Sequence, residues 1–164
     1  FFSFLGDSIL GAGRLILIIV ANVVAFVALA ALIDKLLALI WKPLSLEAIL
    51  GVIMFPFSWL MGLPVHQAWM LSQDMGMKLV TNEFVVMGKV TGVINQYPEH
   101  LKAVLTTFVT SFANFGTLGM IIGAFKGLVG KEDNDYIATN IGYLLLSGIL
   151  VSLLSAAFVG LFVW

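Results

Sequence analysis

The uncharged run LILIIVANVVAFVALAALI, Leu15 to Ile33, constrains this chain more than any other feature. Arg14 stands before it, and Asp34 and Lys35 close it. About 20 apolar residues in helical form cross the hydrocarbon core of a bilayer. In lipid a backbone must satisfy its own polar groups, so such a run reads as a transmembrane helix. Asn22, its one strongly polar side chain, is expected to hydrogen-bond to a neighbouring helix rather than to a ligand. The rest of the chain shares the bias. Hydrophobic residues make up 61% of the 164 and charged residues 10%, against about half and a quarter in an ordinary soluble domain. A soluble helical domain with a rich core would need more charge to face water. The expectation is an all-α integral membrane protein, multi-pass, with the lipid bilayer as a partner.

Other classes recede on the same grounds. A net charge of −1 suggests no nucleic-acid partner. With no cysteine there is no disulfide framework. No metal-ligand spacing, phosphate loop or nucleophile constellation appears, so no catalytic residue, metal site or cofactor is expected. The lysines and Arg14 are spread among the short loops and leave the membrane orientation open. The chain begins FFSFLGD without a methionine and ends GLFVW inside an apolar run; a segment of a longer protein is expected.

Five stretches follow from the pattern. Residues 1–44 hold the first spanning helix. Residues 45–64, SLEAILGVIMFPFSWLMGLP, open with Ser45 as a helix cap, carry Pro56 inside, and are flanked by Trp41, Trp59 and Trp69. They read as a helix along the membrane interface, with a short Pro-kinked span as the alternative. Over residues 65–98, Asp74, Lys78, Glu83 and Lys89 divide the text into pieces too short to cross, which suits a re-entrant helical hairpin with its tip near Thr81 to Phe84. Residues 99–131 are long enough to span. Thr106, Thr107, Thr110, Ser111, Asn114 and Thr117, with Gly116 and Gly119, predict a broken transmembrane helix interrupted near Asn114 to Thr117. Lys126, Lys131, Glu132, Asp133 and Asp135 read as a polar loop. Residues 132–164 then make a C-terminal transmembrane helix, with Gly142, Ser147, Gly148 and Ser152 offering small positions for helix contact.

The hairpin tip and the broken helix stand out together. Glu83 would be a carboxylate at membrane depth, where an unpaired charge costs about 2.5–3.5 kcal/mol even on lenient scales. A water-filled, ligand-sized site would supply partners, and discontinuous helices are how transporters build such sites. Carboxylate, carboxamide and hydroxyl suit a neutral polyol, since Glu accepts and Asn can do both. The plainer reading pairs Glu83 with Lys78 or Lys89, though Lys78 can equally snorkel to water. Asn114 alone would serve as helix glue, and Phe112 and Phe115 as packing; beside a site an aromatic face can cover a sugar. His66 and His100 are read as neither ligands nor proton relays, and the methionines as packing.

These residues carry a family resemblance. GMKLVTNEFVVM, Gly76 to Met87, resembles the G-x-K-x-x-x-N-E-F-V-A motif of the concentrative nucleoside transporters. SFANFGTLGMIIGA, Ser111 to Ala124, is similar to that family's S-F-A-N-F-S-S-I-G-I stretch. ILGVIMFPFSWLMGLP, Ile49 to Pro64, is similar to its I-L-G-x-x-x-x-P-x-A-W-x-M-G-V-P segment. The nearest likeness is to the bacterial pyrimidine-nucleoside permeases. The resemblance implies the C-terminal part of a cation-coupled (Na+ or H+) importer in the bacterial inner membrane, a homotrimer when complete. Its scaffold helix would be Leu15 to Ile33. It implies that Glu83 and Asn114 bind the ribose with help from Thr117, that Phe112 lies beside the nucleoside, and that Asn82 shapes the tip. Gly116 and Val86 depart from the motif and bear on selectivity. The base-reading first hairpin and most of the ion site have no match here, so this chain would supply the ribose half of a site. The rival expectation is a non-transporting, gate-like membrane interaction module; an enzyme is the weakest reading, since Glu83 has no nearby acid, base or metal partner.

Overall fold

The computed structural model describes residues 1–125 and 129–164, without the side chains of Asn22, Val23 and Phe26. The expected helix contact of Asn22 and the placement of Lys126 lie outside the described residues. The described residues form helices joined by short linkers: α1 (Phe2–Ile40), α2 (Leu46–Leu60), α3 (Val65–Val80), α4 (Glu83–Val90), a short 3-10 turn at Ile94–Gln96, α5 (Glu99–Val109), α6 (Phe115–Phe125) and α7 (Lys131–Phe162).

The run Leu15 to Ile33 lies inside α1, which extends well beyond it at both ends because no proline occurs before Pro43. Asp34 does more than bracket the run. Its Oδ1 accepts the Leu46 N–H at 2.7 Å, while Ser45 Oγ accepts Ala48 N–H at 3.0 Å. Two of the unpaired N–H groups at the start of α2 are therefore capped, one from a neighbouring helix. Among the described residues, Phe2–Ala21 of α1 and all of α7 are long and apolar enough to cross a membrane. Their outer faces expose large apolar side chains such as Phe4, Leu17, Leu146 and Leu154, as lipid-facing helices do and soluble surfaces rarely do.

Helices α2 and α3 pack antiparallel at very short range. The turn between them passes through Gly62 at φ +88°, a backbone conformation that glycine adopts freely. A Cβ on Gly76 would lie 2.6 Å from Glu47 O and 2.8 Å from Gly51 N, so the two backbones touch there. Ser58 Oγ adds a hydrogen bond across the pair to Ala68 O at 2.7 Å. Around this pair Leu71, Met75, Val86, Val104, Phe108 and Ala156 form the buried core, which draws α3, α4, α5 and α7 together by burying apolar surface.

Two details differ from the sequence reading. The interruption between α5 and α6 falls at residues 110–114, and α6 runs on through Gly116 and Gly119. The helix restarts as soon as a capping side chain is available, and glycine inside a helix is tolerated. Lys131, Glu132, Asp133 and Asp135 form the first turns of α7 rather than a loop; acids near a helix start are favoured by its dipole. The small residues of α7 also divide. Gly148, Ser152, Ala156 and Gly160 recur every fourth position, which keeps them on one side of the helix. A Cβ on Gly148 would sit 2.8 Å from Ala113 Cβ, whereas Gly142 has nothing within 4 Å and Ser147 is exposed. At the other end of α7, the His100 ring stacks on Trp164 at 4.7 Å and faces the Met61 and Val163 carbonyls. It pins the ends of α2 and α7 to the first turn of α5, and no ligand role is needed to account for it.

Candidate functional site

Two helix starts converge on one cavity. At the end of α3, Thr81 Oγ1 donates to Met77 O at 2.6 Å, closing that helix with a residue of its own. Asn82 is extended, and its Oδ1 accepts the Val85 N–H at 3.1 Å, which makes it the N-cap of α4. Glu83 is consequently the first residue of α4, with its carboxylate at the positive end of the helix dipole. The Asp74–Lys89 ion pair, at 2.7 Å, clasps α3 to α4 behind this tip.

The second start is built alike. Asn114 Oδ1 accepts the Thr117 N–H at 2.9 Å. Thr117 Oγ1 accepts the Asn114 N–H at 3.3 Å and donates to Asn114 O at 2.6 Å. This is a reciprocal cap of the capping-box kind, with threonine in place of the usual Glu or Gln. Because the amide oxygen is committed to Thr117, the amide nitrogen faces the other way, and Asn114 Nδ2 donates to Glu83 Oε2 at 2.9 Å. The cap at one helix start thus orients the donor that meets the carboxylate at the other.

A cavity of about 190 Å³ opens on this pair, lined among others by Ile19 of α1, Asn82, Glu83, Phe112, Asn114 and Met120. Asn82 and Asn114 are buried, Glu83 is half-buried, and Phe112 is 61% exposed, leaving its ring free at the rim. Of the five residues singled out from the sequence, four therefore share one wall. The fifth does not: Thr117 is buried beneath Asn114, and its hydroxyl is engaged there rather than on the cavity surface. Gly116 does line the cavity; a Cβ there would lie 3.1 Å from Asn114 Oδ1, so a serine would press on the cap.

The plainer reading of Glu83 as an ion-pair partner has no geometric counterpart. Lys89 is taken by Asp74, and among the described residues no lysine lies within ion-pair distance of Glu83. Lys78 does not snorkel either. It is fully buried, and its Nζ donates to Ser111 Oγ at 2.8 Å and Ala113 O at 2.6 Å. Sequence reasoning missed this lysine as a structural part of the site; the signal was its place in the same motif as Asn82 and Glu83. A carboxylate oxygen and an amide donor held 2.9 Å apart in a small cavity can together accept from and donate to adjacent hydroxyls.

Outward apolar faces and an all-helical core mark a membrane-embedded helical protein, in which two capped helix starts bring a carboxylate and an amide onto the wall of a largely apolar cavity. The chain belongs to the sodium-dependent nucleoside transporters: the family model described as "Na+ dependent nucleoside transporter C-terminus" matches residues 1–160. Purine nucleoside transport protein NupG of Bacillus subtilis is 45% identical over 164 residues, covering 100% of this chain and 41% of that protein. Nucleoside permease NupC of Helicobacter pylori is 33% identical over 153 residues, covering 87% of this chain and 36% of the permease. A solved structure of a single-substitution variant of CNTnw in its intermediate 2 state superposes with a TM-score of 0.85 at 27% identity, covering 96% of this chain and 41% of that one. The chain thus spans about two fifths of the length of such relatives. The family is one of membrane transporters, not enzymes.

Proposed function

We propose that this chain is the C-terminal part of a cation-coupled nucleoside importer of the bacterial inner membrane and supplies the ribose-binding half of its substrate site. The observation that carries the reading is the Glu83–Asn114 pair on the wall of the cavity, with Phe112 at the rim. Glu83 would accept from ribose hydroxyls, Asn114 would donate to them, and the Phe112 ring would cover the sugar. Asn82 and Thr117 act one step back, as the caps that aim those two side chains. In the membrane, α3 and α4 form a re-entrant hairpin and α5 with α6 a broken spanning helix; α2 lies along the interface. Their non-helical tips are tolerable there because Thr81, Asn82, Asn114 and Thr117 satisfy the backbone groups that the breaks release. The long, outwardly apolar α1 serves as the scaffold against which this unit moves and through which a homotrimer assembles. The cation is cargo, and its ligands lie mostly in the part of the transporter outside these residues.

The base is read elsewhere in this scheme. The motif likeness points to pyrimidine nucleosides, while the 45% identical relative is named for purine nucleosides; this half selects nucleosides through the sugar. The deciding experiment is uptake of uridine and of adenosine by the full-length protein, with sodium and pH varied independently. Saturable uptake of either nucleoside that requires a sodium or proton gradient is expected. Binding without uptake would favour a gate-like interaction module instead.

A further inference from the structure

We propose that Lys78 is a positioning residue of the sugar site, a strut that sets the α5–α6 linker against the hairpin tip. The inference rests on the reading of Glu83 and Asn114 as the ribose-facing pair. Its own basis is separate. Lys78 lies on α3, the arm that ends at Thr81 and delivers Asn82 and Glu83 to the cavity. It is 0% exposed, and among the described residues it makes no ion pair. An ammonium fully removed from water without a carboxylate against it is costly unless its donors are satisfied. Here Ser111 Oγ accepts at 2.8 Å and Ala113 O at 2.6 Å, and the Phe108 ring centroid lies 5.0 Å away, within cation–π range.

The position of those acceptors gives the strut its meaning. Ser111 and Ala113 flank Phe112, and Ala113 precedes Asn114, so one ammonium grips the linker on both sides of the residue at the cavity rim. Ser111 Oγ passes the bond on to Phe108 O at 2.6 Å, in the last turn of α5. The cation thereby occupies the negative end of α5, where carbonyls lose their helical partners. Without it the linker loses its anchor to α3. Asn114 would keep its cap on α6 but lose its fixed distance to Glu83. An uncharged side chain of similar length fills the space without making this grip.

The test uses the purified full-length protein and two ligands, a ribonucleoside and its 2′,3′-dideoxy counterpart, with the dissociation constant of each measured by calorimetry. The readout is the ratio of the two constants, which a loss of stability alone does not move. In the wild type the ratio is expected to be large; a ratio near one would overturn the ribose reading and this inference with it. If the wild type discriminates, Lys78→Met is expected to cut the ratio about tenfold or more, while melting still shows a folded protein. A folded Lys78→Met protein with the wild-type ratio would overturn the strut and leave the ribose reading standing. Should Lys78→Met fail to fold, Ser111→Ala removes one acceptor and decides: a several-fold smaller ratio supports the proposal, and an unchanged ratio overturns it.

Discussion

Glu83→Gln is the substitution that most directly probes the site, because it preserves shape and removes charge. In the structure Glu83 Oε2 already accepts from Asn114 Nδ2 at 2.9 Å, which leaves Oε1 and a remaining lone pair for a ligand. A glutamine must turn its one oxygen toward Asn114 to keep that bond. Its NH2 would then face the cavity, a donor where the sugar hydroxyls need an acceptor. Hydrogen bonds to a charged group are worth about 1.5–3 kcal/mol and neutral ones about 0.5–1.5. Two hydroxyls losing the difference amount to about 2–3 kcal/mol, or roughly 30- to 150-fold in Kd. Stability should fall by no more than about 2 kcal/mol, the most that a partly buried charge at the first position of α4 gains from the dipole. The assay is calorimetric titration of the full-length variant with a ribonucleoside, beside a thermal melt. A Kd within about threefold of wild type, in a protein that still melts cooperatively, would falsify the assignment of Glu83 to the sugar.

Three other outcomes are expected. Gly76→Ala forces α2 and α3 apart, because the new methyl meets backbone at 2.6 and 2.8 Å; a loss of about 1–3 kcal/mol is expected, and an unchanged melting temperature would show that the helices yield freely. Thr117→Val keeps volume but removes both hydroxyl bonds to Asn114. The Asn114 Oδ1 bond to the backbone N–H of residue 117 survives, so a weakening of nucleoside binding by roughly fivefold is expected from hydroxyl bonds worth about 1 kcal/mol, with Thr117→Ser near wild type; full affinity in the valine variant would remove Thr117 from the site's support. Glu47, in the first turn of α2, has its carboxyl pushed above the ordinary 4.5 by burial first and by the Asp34 charge second. A raised value means the folded protein holds this proton more tightly than the unfolded chain, so its contribution to stability falls as pH rises above 4.5 through the folded value. Glu47→Gln should therefore melt higher than wild type at pH 7, with the gap narrowing at pH 4; a lower melt at pH 7 would contradict the burial argument.

Much of the architecture was legible locally. The uncharged run, the Pro and Gly of the α2–α3 turn and the Ser45 cap are short-range signals, and each sits in the helix or turn expected of it. The interruption before α6 was legible as well, but its position was misjudged. Glycines looked like the weak point, whereas a helix resumes where its first N–H groups find an acceptor, and Asn114 supplies one. The motif placed Asn82, Glu83 and Asn114 near one another without showing that the two asparagines act as caps. Thr117 illustrates the limit: a hydroxyl beside a site residue in sequence can face the ligand or the helix end, and only its bonds to Asn114 tell which.

By itself, then, the sequence determined the solvent, the helical class and the polar groups too costly to leave unpaired in lipid, because composition and periodicity act over a few neighbouring residues. The tertiary structure decided who pairs with whom. Lys78 finds Ser111 across 33 residues, Lys89 finds Asp74 across 15, and Glu83 is left to Asn114 across 31. Each lysine lies on the same hairpin as both acids, so charge and spacing alone permit several pairings. Burial of α3 against α5 places the Lys78 ammonium at the end of that helix, and this leaves the carboxylate of Glu83 facing the cavity.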